Sequence, residues 1–354
     1  MVKIFNPKER LDSIIAKSRV HLYKPIQIAE ILYHHRAEND VDFKDLASFR
    51  NISKKWRDDV SILLVGKKST SSQKFQDNLF DDNAMPLEAL EELGEFNKTN
   101  GGLVEAYIYN SLLERLSSVN DIAKYISNSS AETFSLIRTV DTFINSPGLH
   151  RSIDKMYEIL VYALFDTIVR TLRAKVTIEI ENKDTDILED FDLFIKTVIG
   201  ISSQNPKLSM PAALYRVGVT NAADRGIDMW ANFGPAIQIK HISLTLKIAE
   251  GIVDSISADK IVIVCIDSER DVIITLLDQI GWHERIQGII TLSNLDEWYR
   301  LCLGERYRNS LGLNLLSDLR KEFNAEFPSI NELEPFMKER KYNEIIIPSN
   351  WTVA

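Results

Sequence analysis

The spacing of apolar residues changes near residue 150, and the change predicts two kinds of architecture. Upstream the intervals are helical. Leu11, Ile14 and Ile15 share a face in "LDSIIAKS", as do Ile26, Ala29, Ile31 and Leu32 in "KPIQIAEILYHHR". Pro25 suits the first position of that second helix, where its missing N–H costs nothing. "MPLEALEELGEFN" (85–97) predicts a helix ending near Gly94. "NGG" (100–102) breaks the chain, and a long helical stretch then runs from 103 to 145, interrupted near "SNSS" and closed by "SPG".

Downstream, strand and helix alternate. "SIDKMYEILVYALFDTIVRTLRA" (152–174) predicts an apolar helix, and "KVTIEIE" (175–181) alternates as the first core strand should. A helix over 187–200 follows, stopped by Gly200. "ALYRVGVT" and "AIQIKHI" read as strands, "LTLKIAEGIVDSI" (244–256) as a helix and "KIVIVCI" (260–266) as a buried strand. Helices over 271–281 and 295–303 flank a strand over 286–292, and 310–341 is helical again. Such alternation predicts an α/β core behind a mainly helical N-terminal region.

Charge alters this picture only locally. The chain of 354 residues carries a net −9, yet residues 1–76 hold 15 Lys and Arg against 9 Asp and Glu. A local basic face, not the total, governs contact with phosphates, so nucleic acid is not excluded. Cys265 and Cys302 lie far apart in apolar surroundings and read as buried thiols of a reducing, cytoplasmic compartment. No apolar run is long enough to span a membrane, and the N-terminus lacks the apolar stretch of a secretory signal.

The candidate chemistry lies in "NAADRGIDMWANFGPAIQIKHISL" (221–244). Alternation in a strand puts Ile237, Ile239 and His241 on one face and Gln238 and Lys240 together on the other. Asp228 lies ten positions before Gln238, and the turn residues "NFGP" between them allow a hairpin that brings the two together. An acid, an amide oxygen and a lysine so arranged fit metal-assisted phosphodiester hydrolysis. The carboxylate holds Mg²⁺, and the lysine orients the attacking water and stabilises charge on phosphorus. Gln238 brings no negative charge where a second carboxylate is usual.

With those residues in place, "GID", nine residues and then "QIK" resembles the signature of the PD-(D/E)XK nucleases in its Gln-x-Lys variant, as in the Mrr-like branch. The resemblance implies a restriction-endonuclease-like α/β core, a mixed sheet flanked by helices. Asp228 then stands as metal ligand, Gln238 at the second-acid position and Lys240 as the catalytic lysine, with Glu158 as an additional acid for the metal. The motif's proline is replaced by Ile227. Together with "RLDSIIAKSRVHLYKPIQIAEILYHHR" and "KSTSSQKFQDNLF", the stretch resembles the HaeII family of type II restriction endonucleases across the whole chain. That implies Mg²⁺-dependent cleavage of both strands of DNA at a palindrome such as RGCGCY, a C₂ homodimer and a cognate DNA methyltransferase as genetic partner. Residues 1–150 would make DNA contacts and support dimerisation, 151–305 would form the nuclease core, and 306–354 a helical tail.

Plainer readings stand beside these. Gln238 and Lys240 also suit an edge strand with one solvated face. Arg225 fits a phosphate contact or a surface ion pair with Asp224, and His241 fits the core. Lys67, Lys68, Ser69, Gln73 and Lys74 suit DNA contact or a surface loop, while "KKWRDD" (54–59) reads as a solvated face. Two functional rivals remain: a nuclease specific for methylated DNA, and a DNA-binding protein whose nuclease site has decayed. A nucleotide-binding enzyme ranks last for want of a Gly-rich phosphate loop.

Overall fold

The computed structural model describes residues 6–69, 76–146, 148–202, 205–217, 227–240, 260–279 and 285–353. The chain forms two compact units. One gathers Met1–Ile159 and Leu319–Ala354, and the other Leu160–Val217 and Asp224–Asp318.

The first unit is helical around Tyr23–Tyr33. Ile26, Ile28, Ala29, Ile31 and Leu32 of this helix are fully buried, as are Gln27 and Glu30, so the helix is enclosed nearly all round. Helices Pro7–Lys17, Ile52–Val65, Leu87–Thr99 and Leu103–Asn128 pack around it. Its start differs from expectation. Leu22 takes a left-handed conformation (φ 48°) and the helix begins at Tyr23, with Pro25 still inside the tolerant first turn. Gly94 likewise does not end its helix but sits within it. The Phe43 ring lies where a Cβ would stand, only 2.4 Å away, so only glycine permits this contact.

Two buried carboxylates organise the polar interior of this unit. Glu30 receives Arg340 on both oxygens (2.7 and 3.0 Å) together with the Tyr109 hydroxyl. Glu105 receives Arg36 on both oxygens (2.8 Å each), Tyr342 Oη at 2.7 Å and Asn97 Nδ2 at 2.6 Å. A buried charge persists only when so completely paired. Burial first, then the nearby carboxylates, raises the hydroxyl pKa of Tyr109 and of Tyr342, so both remain donors.

The segment "KKWRDD" departs from a simple solvated face. Arg57 is 2% exposed and donates to Gln27, Asp58 and Gln76, while Trp56 stacks on His34 at 3.6 Å between ring centroids. His21 is buried too, and burial, followed by the positive charges of Lys67 and Arg19, lowers its pKa to about 4. The neutral ring is therefore the folded form. A histidine whose folded pKa lies below its unfolded value of 6.5 stabilises the fold above about pH 6.5 and loses that contribution as pH falls toward 4. Over that window His21 should cost the fold roughly 3 kcal/mol. Urea titrations at pH 7 and pH 4.5 should show this loss shrinking in His21→Phe; an equal loss in both proteins would refute it.

The second unit holds two sheets. β1 (Lys175–Glu179) pairs antiparallel with β2 (Lys207–Pro211). β1 was expected as the first core strand, but its side chains are largely exposed and it stands in this separate two-stranded sheet. The predicted helix over 187–200 forms as short pieces, Thr185–Asp190, Asp192–Phe194 and Ile195–Ile199.

A five-stranded sheet carries the core, in the order β3 (Leu214–Arg216), β4 (Met229–Ala231), β5 (Ala236–Lys240), β6 (Ile261–Cys265) and β7 (Ile286–Thr291). β3, β4 and β5 form an antiparallel meander, and β5, β6 and β7 run parallel. Parallel neighbours need crossovers. Helix Arg270–Gln279 lies on that between β6 and β7, and its Ile273 packs with Ala236, Ile261, Ile263 and Cys265. The helix predicted over 244–256, between β5 and β6, lies outside the described residues. After β7, helix Leu292–Leu303 starts at a reciprocal Thr291–Asn294 cap. The mixed helix and sheet content agrees with an α/β nuclease-like fold.

Cys265 and Cys302 are free and buried, as expected. Among the described residues no helix is long and apolar enough to cross a membrane.

Candidate active site

The turn Asn232–Pro235 sets the geometry. Gly234 takes φ 121°, which side chains resist, and Ala231 N donates to Pro235 O at 2.9 Å to close the hairpin. Met229 then faces Ile237 and Trp230 faces Ala236, so the next pair outward is Asp228 and Gln238. The hairpin expected from the sequence forms.

Gln238 Nε2 donates to Asp228 Oδ2 at 2.7 Å, and Ile239 N donates to the same oxygen at 2.7 Å. The amide orientation is chemically forced, because its oxygen turned toward the carboxylate would meet another acceptor. Oε1 of Gln238 therefore points the other way, buried and without a hydrogen-bond partner among the described residues. Leaving such an acceptor unmade costs about 1–3 kcal/mol. The solvated edge strand is corrected here: β5 is paired on both sides, and Gln238 is 2% exposed.

This pairing explains a glutamine beside Asp228. A carboxylate in its place would bring two like charges within hydrogen-bond distance, whereas the amide donates to Asp228 and keeps an oxygen in reserve. A carboxylate and an amide oxygen are hard donors suited to Mg²⁺. Among the described residues no group of three or more His, Cys, Asp or Glu side chains forms a metal cluster, so the donor set here is carboxylate plus amide. The backbone of Lys240 ends β5 opposite Cys265, while its side chain lies outside what is described. Burial first, then Asp267 and Glu269, pushes the Cys265 thiol up to about 11, so it is not a thiolate nucleophile at neutral pH.

Comparison with known proteins decides the family. Residues 7–342 match the model of the HaeII restriction endonuclease family. The chain is 49% identical to the type II restriction enzyme HaeII of Haemophilus aegyptius, over 96% of its own length and 97% of that protein's. It is also 49% identical to the type II restriction enzyme NgoBI of Neisseria gonorrhoeae, over 93% of each chain. The chain belongs to the HaeII restriction endonuclease family. No solved structure matches it.

In this HaeII-family chain the other sequence candidates have varied surroundings. Glu158, on helix Ile153–Leu172, is 4% exposed and takes Lys155 Nζ on both oxygens at 2.6 and 2.8 Å. Lys67 Nζ donates to the carbonyl of Ala325 within the first unit. Lys68 is exposed and Ser69 half-buried. Gln73, Lys74, Asp224, Arg225 and His241 lie outside the described residues. The sequence reading passed over Tyr215 and Trp230, both exposed and stacked on one another. Their one signal was a tryptophan two residues past Asp228.

Proposed function

We propose that this restriction endonuclease hydrolyses one phosphodiester bond per chain at Asp228, Gln238 and Lys240, with Mg²⁺ as its metal, and that a homodimer cuts both strands of DNA at a short palindrome. The observation that carries the reading is the Asp228–Gln238 pair, which fixes a carboxylate and leaves a buried amide oxygen without a hydrogen-bond partner among the described residues. On this reading Asp228 and Gln238 Oε1 hold the cation. A bound Mg²⁺ supplies charge neutralisation at the phosphate and a more acidic water. Ile239 N–H and Gln238 Nε2 hold the Asp228 carboxylate in its orientation. Lys240 orients the attacking water and balances charge gathering on the phosphoryl oxygens.

The antiparallel meander, the parallel strand after it and the acid-to-lysine spacing support a PD-(D/E)XK core within residues 151–305. Residues 1–150 are assigned to DNA contact through Lys67, Lys68, Ser69, Gln73 and Lys74, and separately to dimerisation, and residues 306–354 to a helical tail. Arg225, just before the hairpin, is assigned to a phosphate, and a cognate DNA methyltransferase is the expected genetic partner. RGCGCY is the proposed recognition sequence.

Incubation of unmethylated DNA with Mg²⁺ should give discrete fragments whose sequenced ends share one palindrome. Lys240→Ala should slow cleavage about a hundred-fold while leaving DNA bound. Intact unmethylated DNA beside cleavage of a methylated copy would transfer the chain to the methylation-dependent class. Intact DNA in every methylation state and with several divalent metals would mark a decayed site.

A further inference from the structure

Two large aromatic rings stand exposed beside the candidate site. Tyr215 is 44% and Trp230 46% exposed, and their rings stack with centroids 4.4 Å apart and planes 21° apart. They are direct partners across β3 and β4, and Trp230 faces Ala236 on β5. Residues paired across strands share a face, and so do residues two apart along a strand. Tyr215, Trp230, Ala236, Asp228 and Gln238 therefore line one face of the sheet. Trp230 follows Asp228 by two residues, roughly 7 Å along the strand.

Farther across this face the surface is filled. Ile261, Ile263 and Cys265 lie beneath Ile273 and Leu276 of helix Arg270–Gln279. At β3 and β4 the same face instead offers two rings with nearly half their surface open. A stacked pair is already held in place, so a further contact costs it little side-chain entropy. The substrate must also reach this spot. A scissile phosphate at Asp228 brings its flanking nucleotides within reach of rings roughly 7 Å away, since successive phosphates of one strand advance about 3.4 Å along the axis.

We propose that the Tyr215–Trp230 pair is a DNA-positioning platform, packing against the apolar faces of deoxyribose and base beside the scissile phosphate and fixing its register at Asp228 and Gln238. The proposal rests on the reading of those two residues as the cleavage site. Ring contacts of this kind are uncharged, so they add affinity without changing the salt dependence that phosphate contacts impose.

The test uses the full-length enzyme and a short duplex spanning a cut position mapped from fragment ends. Trp230→Ala and Tyr215→Ala should weaken binding and raise KM on the order of ten-fold, with kcat changed less. Trp230→Phe and Tyr215→Phe should restore most of the affinity. The slope of log Kd against log salt should stay at the parent value in all four variants, and melting temperatures should confirm that each is folded. A 5-iododeoxyuridine placed beside the cut should photocrosslink to a peptide containing Tyr215 or Trp230. Parent-level Kd and KM in both alanine variants, with crosslinks elsewhere, would overturn the proposal. So would a shift from dimer to monomer with unchanged affinity per site, which would make the pair a contact between copies. Parent-level cleavage by Asp228→Asn removes the site reading and this proposal with it. Lost cleavage in that variant, beside parent-level KM in the alanine variants, removes this proposal alone.

Discussion

Asp228→Asn should abolish cleavage, with a rate loss on the order of a thousand-fold, while the protein keeps its fold and still binds DNA. The substitution conserves volume, and the new side-chain oxygen can accept from Ile239 N–H, which now donates to Asp228 Oδ2 at 2.7 Å. The Gln238 amide keeps its orientation, because its Nε2 donates to that same oxygen at 2.7 Å. One substitution thus removes the carboxylate charge while leaving both hydrogen bonds and the reserve oxygen in place. Single-turnover cleavage beside a thermal melt and a binding isotherm measures this. Cleavage within a few-fold of the parent, in a variant with a parent-like melt, would sink the assignment of Asp228.

Arg340→Met should cost about 3–5 kcal/mol of stability, the usual penalty for stranding one partner of a buried ion pair. Arg340 meets both oxygens of Glu30 at 2.7 and 3.0 Å, and its guanidinium lies 3.8 Å from the ring centroid of Tyr33 and 4.6 Å from that of Phe336. Glu30 is 1% exposed, so water cannot readily replace the lost donors. Arg340→Met combined with Glu30→Gln should recover much of the loss, because no buried charge remains. Urea unfolding of the single and double variants tests both statements. A single variant within about 1 kcal/mol of the parent would show that Glu30 finds another partner.

Local patterns in the sequence carried far, and long-range ones did not. The strands over 260–266 and 286–292 were legible because apolar β-branched runs between turns suit the parallel strands they became, the first buried and the second half-buried at the edge of the sheet. The Asp228–Gln238 contact was legible too, since a short turn leaves few ways to fold back. β4 was not: three residues, Met229–Ala231, are too few to show a period. β2 ends at Pro211, which argues against a strand unless it lies at an edge, as this one does. Arg57 looked solvated because its partners Gln27 and Gln76 stand 30 and 19 residues away. The arginines that meet Glu30 and Glu105 stand 310 and 69 residues away, too far for a local pattern to pair them.

The Glu30–Arg340 pair spans 310 residues of sequence, and the second unit's residues lie between the two parts of the first. A chain emerging from the ribosome therefore presents the N-terminal helices long before their last buried partners exist. The second unit can gather from the intervening sequence while the earlier helices hold Glu105 already paired with Arg36 but Glu30 still without its arginine. Completion of the N-terminal unit thus belongs to the end of synthesis, when Arg340 and Tyr342 arrive to close it.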